Sequence, residues 1–274
     1  MQAAQAGTIP VALTIAGSDN SGGAGIQADL KTFHQLGCFG VTALTCVVAE
    51  HPGKVSRIVS LDPSMVSEQI RLCAEVYPLG AIKTGMLFSY EIITAVAATL
   101  KNMPSASLII DPVMVASSGA RLLLDTAINA LKELLFPLAT LITPNRDEAE
   151  ILWGNPINNE SALRECAREL SSRYHTSFLV KGGHLQGDNA IDVLCQADGD
   201  LHEFSAPRVP QTNPHGTGCT FSAAITAYIA HGHSLVEAVA YAKDFITEAV
   251  RTHHRFGPYA LLNHHARAER SRDR

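Results

Sequence analysis

The chain has 274 residues, of which 46% are hydrophobic and 17% are charged, and its formal net charge is -5. This length suits one large α/β domain or two small ones, and it is sufficient to bury a sizeable core. The acidic balance, without a large basic surface, argues against nucleic acid as a partner.

The N-terminus and the cysteines indicate a reduced, cytoplasmic protein without a membrane span. Residues 1–10 lack a basic start followed by a long apolar run, and no stretch reaches the roughly 18 consecutive apolar residues of a membrane helix. Six cysteines are scattered without a C-x-x-C pair, so neither a zinc knuckle nor a disulfide framework is indicated. A frayed, solvated tail is our interpretation of four histidines near the polar C-terminus: His253, His254, His264 and His265.

The first part of the chain predicts a strand, a glycine-rich turn, a helix and a second strand. An apolar, β-prone run covers 11–16, the turn follows, and the helix from Ala24 ends at Gly37. The turn has neither the glycine order of dinucleotide folds nor the ending of a P-loop, so it does not predict a nucleotide phosphate site. Because ligand pockets in open α/β sheets lie beyond the carboxyl ends of strands, we expect Asp19 and Glu50 to converge there.

The remaining elements continue this alternation. We predict strands at 81–84, 107–110, 140–143 and 177–180, and helices at 63–76, 89–100, 125–134, 161–172 and 234–250. An Asp-Gly turn predicts a hairpin of 191–196 with 201–204. Since no break in composition divides the chain, the fold class is α/β, with one doubly wound, mostly parallel sheet flanked by helices on both faces.

Two finer features of these elements are also predicted. In the helix at 63–76, four apolar side chains are expected to pack inward: Met65, Val66, Ile70 and Leu72. Segment 113–122 has the composition of a mobile loop, which is either a flap over the site or a plain surface connection.

The stretch 213–224, NPHGTGCTFSAA, predicts a tight loop that leads directly into a helix. The N–H groups at 216–219 then lack intrahelical partners, and the aligned peptide dipoles place roughly +0.5 charge there, which attracts anions. A thiol in this field has a lowered pKa and can act as a base, so we expect this of Cys219. An ordinary glycine-opened helix with a small buried cysteine is the alternative.

Charged residues at two later positions are weaker signals. Lys181 follows a predicted strand and precedes two glycines, which suits a phosphate contact. Asp147, Glu148 and Glu150 cluster at the start of a helix. Acidic residues in a first helical turn commonly compensate the helix dipole, so taken alone they do not establish a metal site.

Six short motifs occur in register along the chain. They are TIAGSDNSGGAGIQADLKTF near the start, IKTGML at 82–87, DPVM at 111–114, TPNRDEA at 143–149, VKGGH at 180–184 and HGTGCTFSAA at 215–224. Together they closely resemble the hydroxymethylpyrimidine and phosphomethylpyrimidine kinases of thiamine biosynthesis, which have the ribokinase-like fold. The resemblance divides the chain into an N-terminal extension at 1–10, a single kinase domain at 11–258 and a polar C-terminal tail at 259–274.

The resemblance implies ATP-dependent phosphorylation of 4-amino-5-hydroxymethyl-2-methylpyrimidine and then of its monophosphate, by a homodimer. The family's anion hole falls on Gly216, Thr217, Gly218 and Cys219, with Cys219 as the catalytic base. Nucleotide contacts fall on Asn145, Lys181, Gly182 and Gly183, while Glu148 organises Mg²⁺ directly or through water. The substrate side falls on Gly17, Asp29, Glu50 and Met86.

Two departures from the family pattern bear on specificity. Most relatives carry Gln in place of Glu50, and their loop commonly reads AKSGD where this chain has ASSGA at 116–120. An ionised carboxylate only accepts hydrogen bonds, so Glu50 favours a ligand edge with two donors, such as a protonated aminopyrimidine.

Two alternative functions remain open. A pyridoxal, pyridoxine or pyridoxamine kinase is the alternative enzyme, since members of the same fold group phosphorylate that hydroxymethylpyridine. A ligand-binding regulator without turnover is the alternative from another class. The retained anion hole, together with Lys181, Asn145 and Glu148, favours an enzyme over a regulator.

Overall fold

The computed structural model describes residues 9–103, 106–114, 123, 125–183, 185–209 and 214–266. The strands are β1 Val11–Asp19, β2 Phe39–His51, β3 Lys54–Ser60, β4 Leu79–Thr84, β5 Ser107–Ile110, β6 Leu141–Ile142, β7 Ser177–Lys181, β8 Asn189–Cys195, β9 Leu201–Pro207, β10 His254–Phe256 and β11 Tyr259–Leu261. The α-helices are α1 Gly25–Gln35, α2 Pro63–Val76, α3 Tyr90–Leu100, α4 Asp125–Ala130, α5 Arg146–Trp153, α6 Glu160–Tyr174, α7 Thr217–Ala230 and α8 Leu235–Arg251. A π-helical stretch, Leu131–Leu135, and a 3₁₀ turn, Phe136–Leu138, extend α4.

Nine strands form one sheet in the order β3-β2-β1-β4-β5-β6-β7-β8-β9. The six from β2 to β7 in this order are parallel, whereas β3, β8 and β9 each run antiparallel to a neighbour. The predicted doubly wound, mostly parallel sheet is confirmed. The chain builds outward in opposite directions from β1 and β4, so a crevice for ligands is expected at the carboxyl ends of these two strands.

Helices cover both faces of the sheet, and side chains of its central strands alternate between the cores on these two faces. On β1, Leu13 and Ile15 pack with α2 and α3, while Ala12 packs against α1 and α7. On β5, Ile110 joins the first core and Ile109 joins the one beneath α7 and α8. Strands buried on both faces need apolar residues at every position, which explains the continuous apolar runs in the sequence.

Local signals set several helix boundaries. Asp62 caps α2 by accepting a hydrogen bond from the Ser64 N–H, and Pro63 occupies the first helical position, where its missing N–H costs nothing. A capping box of Ser234 with Glu237 starts α8. The predicted bounds of α2, 63–76, are confirmed, and its start follows from the Asp62 cap and from Pro63.

The inward face of α2 is narrower than predicted. Val66 and Ile70 are fully buried, but Met65 and Leu72 are 54% and 53% exposed. Their prediction as packed residues is wrong, because the stripe formed by Val66 and Ile70 is the one that faces the sheet and the other two side chains lie outside it.

Two elements of the fold lie outside the sequence predictions. β3 is a polar edge strand, and its burial pattern gives little periodic signal. β10 and β11 form a short hairpin, after which Leu262, His264 and Ala266 are 3%, 7% and 5% exposed. The predicted solvated tail is therefore wrong at Leu262, His264 and Ala266, which are buried, whereas His254 and His265 are exposed.

Some predictions fall on residues outside the described ranges. These include most of the N-terminal extension, 115–122 of the predicted flap, and the tail beyond 266. Within the described ranges, every helix is too short or too polar to cross a bilayer.

Candidate active site

A cavity of about 460 Å³ opens at the carboxyl ends of the parallel strands, over the crevice between β1 and β4. Most of the predicted site residues line it: Gly17, Glu50, Met86, Asn145, Glu148, Lys181, Gly183, Gly216, Thr217, Gly218 and Cys219. Asp29 and Gly182 lie outside the lining. The fold thus assembles one site from motifs that are distant in sequence.

The loop before α7 has the geometry of an anion site. Gly216 caps the helix with φ 84°, and the first intrahelical bond runs from the Thr220 N–H to the Gly216 carbonyl, at 2.9 Å. The N–H groups at 217–219 precede this bond and have no intrahelical acceptor. A Cβ atom on Gly216 would overlap the Gly23 carbonyl oxygen, so close packing also requires glycine here. The first glycine-rich turn therefore supports the anion loop.

Cys219 occupies the third position of α7 and borders the cavity. Burial raises the pKa of its thiol to about 11, although the charge of Lys83 opposes this shift. The nearby carboxylates of Asp111 and Asp29 disfavour the thiolate further, while a hydrogen bond from the Gly25 N–H favours it. The predicted lowering of this pKa is wrong, because the sequence reveals the helix terminus but not the acids buried beneath it.

Lys181 and Asp111 form an ion pair on the cavity floor. The Lys181 Nζ atom lies 3.0 Å from Asp111 Oδ1, and Ser222 donates to the other carboxylate oxygen at 3.1 Å. Burial disfavours the carboxylate charge, but Lys181 and then Lys83 hold the pKa of Asp111 below its ordinary value. A Cβ atom on Gly218 would lie 3.3 Å from Lys181 Nζ. The ammonium group is therefore beside the anion loop.

A second ion pair lies deeper in the domain. Lys83 Nζ is 2.9 Å from Asp29 Oδ2, with both side chains 0% exposed, and Thr14 donates to the same carboxylate oxygen at 2.6 Å. Lys83 borders the cavity, whereas Asp29 lies behind it. The structure therefore places Asp29 where it orients Lys83 and does not contact a ligand directly. A lysine inside a buried strand, as in IKTG, is the sequence signal for such a buried acid.

Asn145 and Glu148 form a capping box at the start of α5. Each side chain accepts a hydrogen bond from the other residue's N–H, both at 2.9 Å, and Glu148 Oε1 accepts from the Met114 N–H at 3.3 Å. Burial raises the pKa of Glu148 to about 8, with Lys181 opposing and Asp111 reinforcing the shift. Because burial outweighs these favourable contacts, the Glu148 carboxylate fits a site that receives a cation, and oxygen donors suit Mg²⁺.

Glu50 lies near Asp19 and His215, at the end of the cavity formed by β1 and β2. One ligand atom from each residue lies within 4.8 Å of the others. Asp19 Oδ2 is already engaged, since it is 3.1 Å from His215 Nε2 and accepts the N–H groups of Gly23 and Ala24. Burial raises the pKa of Glu50, the charge of Asp19 adds to this, and His215 opposes it. This end of the cavity therefore favours a ligand edge that carries protons.

The opposite end of the cavity contains residues that the motifs do not reveal. The Gly182 N–H is shared between the Ile191 carbonyl at 3.0 Å and Asp192 Oδ1 at 3.1 Å. Asp192 is also 2.7 Å from Lys243 of α8, and both of these side chains border the cavity. Apolar residues of β9 and α8 complete this end: Ala206, Pro207, Ile246 and Val250. Sequence offers no signal for such a pairing between separate elements.

Comparison with protein families and curated proteins gives a consistent result. The family model described as phosphomethylpyrimidine kinase matches residues 19–263. The chain is 39% identical over 247 residues to the hydroxymethylpyrimidine/phosphomethylpyrimidine kinase of Aquifex aeolicus, covering 90% of this chain and 96% of that protein. It is 46% identical over 263 residues to a thiamine biosynthesis bifunctional protein of Geobacter sulfurreducens. That match covers 96% of this chain but only 54% of the bifunctional protein.

Solved structures share the fold. An ADP complex of Bacillus subtilis pyridoxal kinase superposes with a TM-score of 0.86 at 35% identity, covering 94% of this chain and 98% of that one. A phosphomethylpyrimidine kinase from Clostridium difficile 630 gives a TM-score of 0.77 at 39% identity, covering 88% and 99%. The predicted ribokinase-like fold is confirmed by these neighbours. Since the family model matches 19–263, which is most of the chain and includes every strand of the sheet after β1, the chain belongs to the phosphomethylpyrimidine kinase family.

Proposed function

We propose that this protein transfers the γ-phosphoryl group of ATP to the hydroxymethyl group of 4-amino-5-hydroxymethyl-2-methylpyrimidine, and then to the resulting monophosphate. The observation that carries the proposal is that one cavity joins the anion loop 216–219 and the buried cation Lys181 to an acidic end at Glu50. The anion loop and Lys181 suit phosphate groups, and the acidic end at Glu50 suits the proton-bearing edge of a small ring. Relatives named for this activity in Aquifex aeolicus and Haemophilus influenzae support the substrate class.

Different residues of the cavity perform different parts of the phosphoryl transfer. Phosphoryl transfer needs positive charge at the moving phosphate and a group aligned on the attacking hydroxyl. The N–H groups at 217–219, which lack intrahelical acceptors, and the Lys181 ammonium supply the positive charge in fixed positions. We assign Cys219 as the base that accepts the proton of the attacking hydroxyl group. Its raised pKa makes the thiolate rare at neutral pH but also more basic once it is formed.

We assign ATP and Mg²⁺ as cofactors. Complexes of related pyridoxal kinases with ADP and AMP-PCP support a nucleotide donor. Asn145 and Gly183 would border the nucleotide, and Glu148 would hold Mg²⁺ directly or through water. Bound Mg²⁺ would neutralise negative charge on the nucleotide phosphates. In Glu148→Gln we expect a higher half-saturating Mg²⁺ concentration with an unchanged KM for the pyrimidine, and an unchanged Mg²⁺ titration would leave Glu148 with its capping role alone.

Pyridoxal phosphorylation is the second candidate. The pyridoxal kinases of Bacillus subtilis and Staphylococcus aureus both superpose with TM-scores of 0.86, and Glu50 stands where most relatives of the family carry Gln. A coupled assay of ADP release separates the candidates, with the pyrimidine alcohol, its monophosphate, pyridoxal, pyridoxine and pyridoxamine as acceptors. The proposal requires the highest kcat/KM for the two pyrimidines. Absence of ADP release with all five acceptors would favour a ligand-binding regulator.

We also propose that the protein acts as a cytoplasmic homodimer. The edge of the sheet supports a protein partner, because Val47 and Val59 are paired across β2 and β3 and are 46% and 47% exposed. Sedimentation should give twice the mass of 29.3 kDa that one chain has. A species of one chain at all concentrations would contradict the dimer.

A further inference from the structure

Arg208, which follows β9, contacts the segment between β7 and β8 through its whole guanidinium group. It donates to four backbone carbonyls: Gly187 at 2.9 Å, Gly183 at 2.5 Å, Asn189 at 3.3 Å, and Leu185. The backbone N–H of Arg208 also donates to the Asp188 carbonyl, at 2.8 Å. We refer to Gly183 together with 185–189 as the β7–β8 loop.

We propose that Arg208 is a positioning residue for the nucleotide, which acts through the β7–β8 loop and not by direct contact with phosphate. A guanidinium group carries five N–H donors, and four of them are used on loop carbonyls. At most one donor remains for a ligand, so the forked phosphate contact typical of arginine is not available. This inference rests on the proposed function, since the nucleotide is the ATP of that reaction.

Packing anchors the β7–β8 loop at one point, since Leu185 is 8% exposed in the hydrophobic core and its N–H donates to the Gly182 carbonyl at 2.9 Å. At Gly183 and Gly187, by contrast, the space that a Cβ atom would occupy is open, with nothing within 4 Å. Backbone carbonyls without packing or regular pairing need donors from elsewhere. Arg208 provides four donors from one planar group, which fixes several points of the loop at once.

The location of the loop connects it to the nucleotide. It starts two residues after Lys181, which ends β7, and both Gly183 and Arg208 border the cavity. On the side facing β8, Asp192 accepts the Gly182 N–H at 3.1 Å. Asp192 thus holds the start of the loop, Leu185 packs in the core, and Arg208 holds the carbonyls of the loop. Loss of the second contact should displace the loop without moving Lys181 from Asp111.

Three variants test the proposal. Arg208→Lys keeps the charge but loses the planar fork, and Arg208→Ala removes both. Arg164→Lys is the matched control, because Arg164 contacts Glu203 of the same strand β9 at 2.6 Å but lies on the surface outside the cavity lining. ADP affinity is measured by calorimetry, backbone exchange at 185–189 by mass spectrometry, and KM for the pyrimidine alcohol by coupled assay.

The proposal predicts the same result for both Arg208 variants. The Kd for ADP should rise at least about tenfold, since even a small displacement of the β7–β8 loop would misplace the groups that contact the nucleotide. Exchange at 185–189 should accelerate at least about tenfold, as expected when a local opening becomes easier. KM for the pyrimidine alcohol should stay within about twofold of wild type, and Arg164→Lys should match wild type throughout.

Two results would overturn the proposal. Wild-type ADP affinity in Arg208→Lys, with loss only in Arg208→Ala, would mean that Arg208 acts by charge on the phosphate. Unchanged exchange at 185–189 in both variants would mean that Arg208 does not hold the loop. The exchange measurement needs no turnover, so it tests the role of Arg208 even in a protein without kinase activity. If the wild-type protein phosphorylates neither pyrimidine, that result would contradict the proposed function and not the role of Arg208.

Discussion

The Lys181 ammonium lies 3.0 Å from the Asp111 carboxylate, with the two side chains 11% and 4% exposed. Each charge is therefore the main compensation for the other. Nucleotide phosphate would compete with Asp111 for Lys181, and Ser222 would still hold the carboxylate at 3.1 Å. The pair thus keeps Lys181 protonated beside the anion loop, where its ammonium group can bind phosphate.

Removal of one partner of this pair should cost more stability than removal of both. Lys181→Met leaves the Asp111 carboxylate buried without its cation, and we expect a loss of about 3–5 kcal/mol in the free energy of unfolding. Lys181→Met with Asp111→Asn should recover most of that loss but not ADP affinity. Chemical denaturation and calorimetry measure the two quantities. A single variant as stable as the double variant would show that the pair is not coupled.

Cys219→Ser should retain the fold and ADP affinity but lose about 10²–10⁴-fold of kcat, because a serine hydroxyl loses its proton far less readily than even a thiol whose pKa is raised. Since the pKa of Cys219 is raised to about 11, alkylation of its thiol should be slow at pH 7 and accelerate up to about pH 11. Cys73→Ser, on α2 and away from the cavity, is the matched control. Wild-type kcat in Cys219→Ser would leave the anion loop alone as the catalyst.

Glu50 should make substrate affinity depend on pH. Burial and the charge of Asp19 raise its pKa, so the carboxyl group binds a proton at higher pH than an ordinary glutamate does. Below that pKa it can donate to the ring edge, and above it only accepts. We expect KM for the pyrimidine alcohol to vary with pH at values above those where an ordinary glutamate titrates, and Glu50→Gln to flatten the profile. Parallel profiles for the two proteins would show that Glu50 does not face the substrate.

His264 should make the folded state less stable in acid. Burial, with the nearby charges of Lys31 and His265, lowers its pKa from 6.5 to about 4. Above pH 6.5 the imidazole is neutral in both the folded and unfolded states, so its contribution is fully present. As the pH falls to about 4, only the unfolded state binds the proton, and stability decreases by up to roughly 3 kcal/mol. Unfolding of His264→Gln should lack this part of the pH dependence, and identical slopes for both proteins would contradict the assignment.

Sequence patterns predict those parts of the molecule whose cause is local. The bounds of α2 follow from Asp62 and Pro63, and the glycines around Thr217 indicate the anion loop by their spacing alone. The pKa of Cys219 could not be predicted, because it depends on burial and on acids delivered by β5 and α1. The position of Asp29 on α1 is hidden for the same reason, since its partner Lys83 is on strand β4.

The C-terminal segment shows the same limit. His264 belongs to a polar stretch, which is typical of a solvated tail, yet its Nε2 atom lies 3.1 Å from the Thr220 hydroxyl of α7. Arg208 has four carbonyl partners on a loop with no periodic pattern. Contacts between a side chain and distant backbone leave no spacing in the sequence, so only the structure reveals them.

A competition assay measures whether the cavity selects a pyrimidine alcohol over pyridoxal. Equal concentrations of the two acceptors are mixed with limiting ATP and Mg²⁺, and both phosphorylated products are quantified by mass spectrometry. The initial product ratio equals the ratio of the two kcat/KM values. We predict at least about tenfold more pyrimidine monophosphate, which corresponds to about 1.4 kcal/mol of discrimination. An excess of pyridoxal phosphate would contradict the account and identify the protein as a pyridoxal kinase within this family.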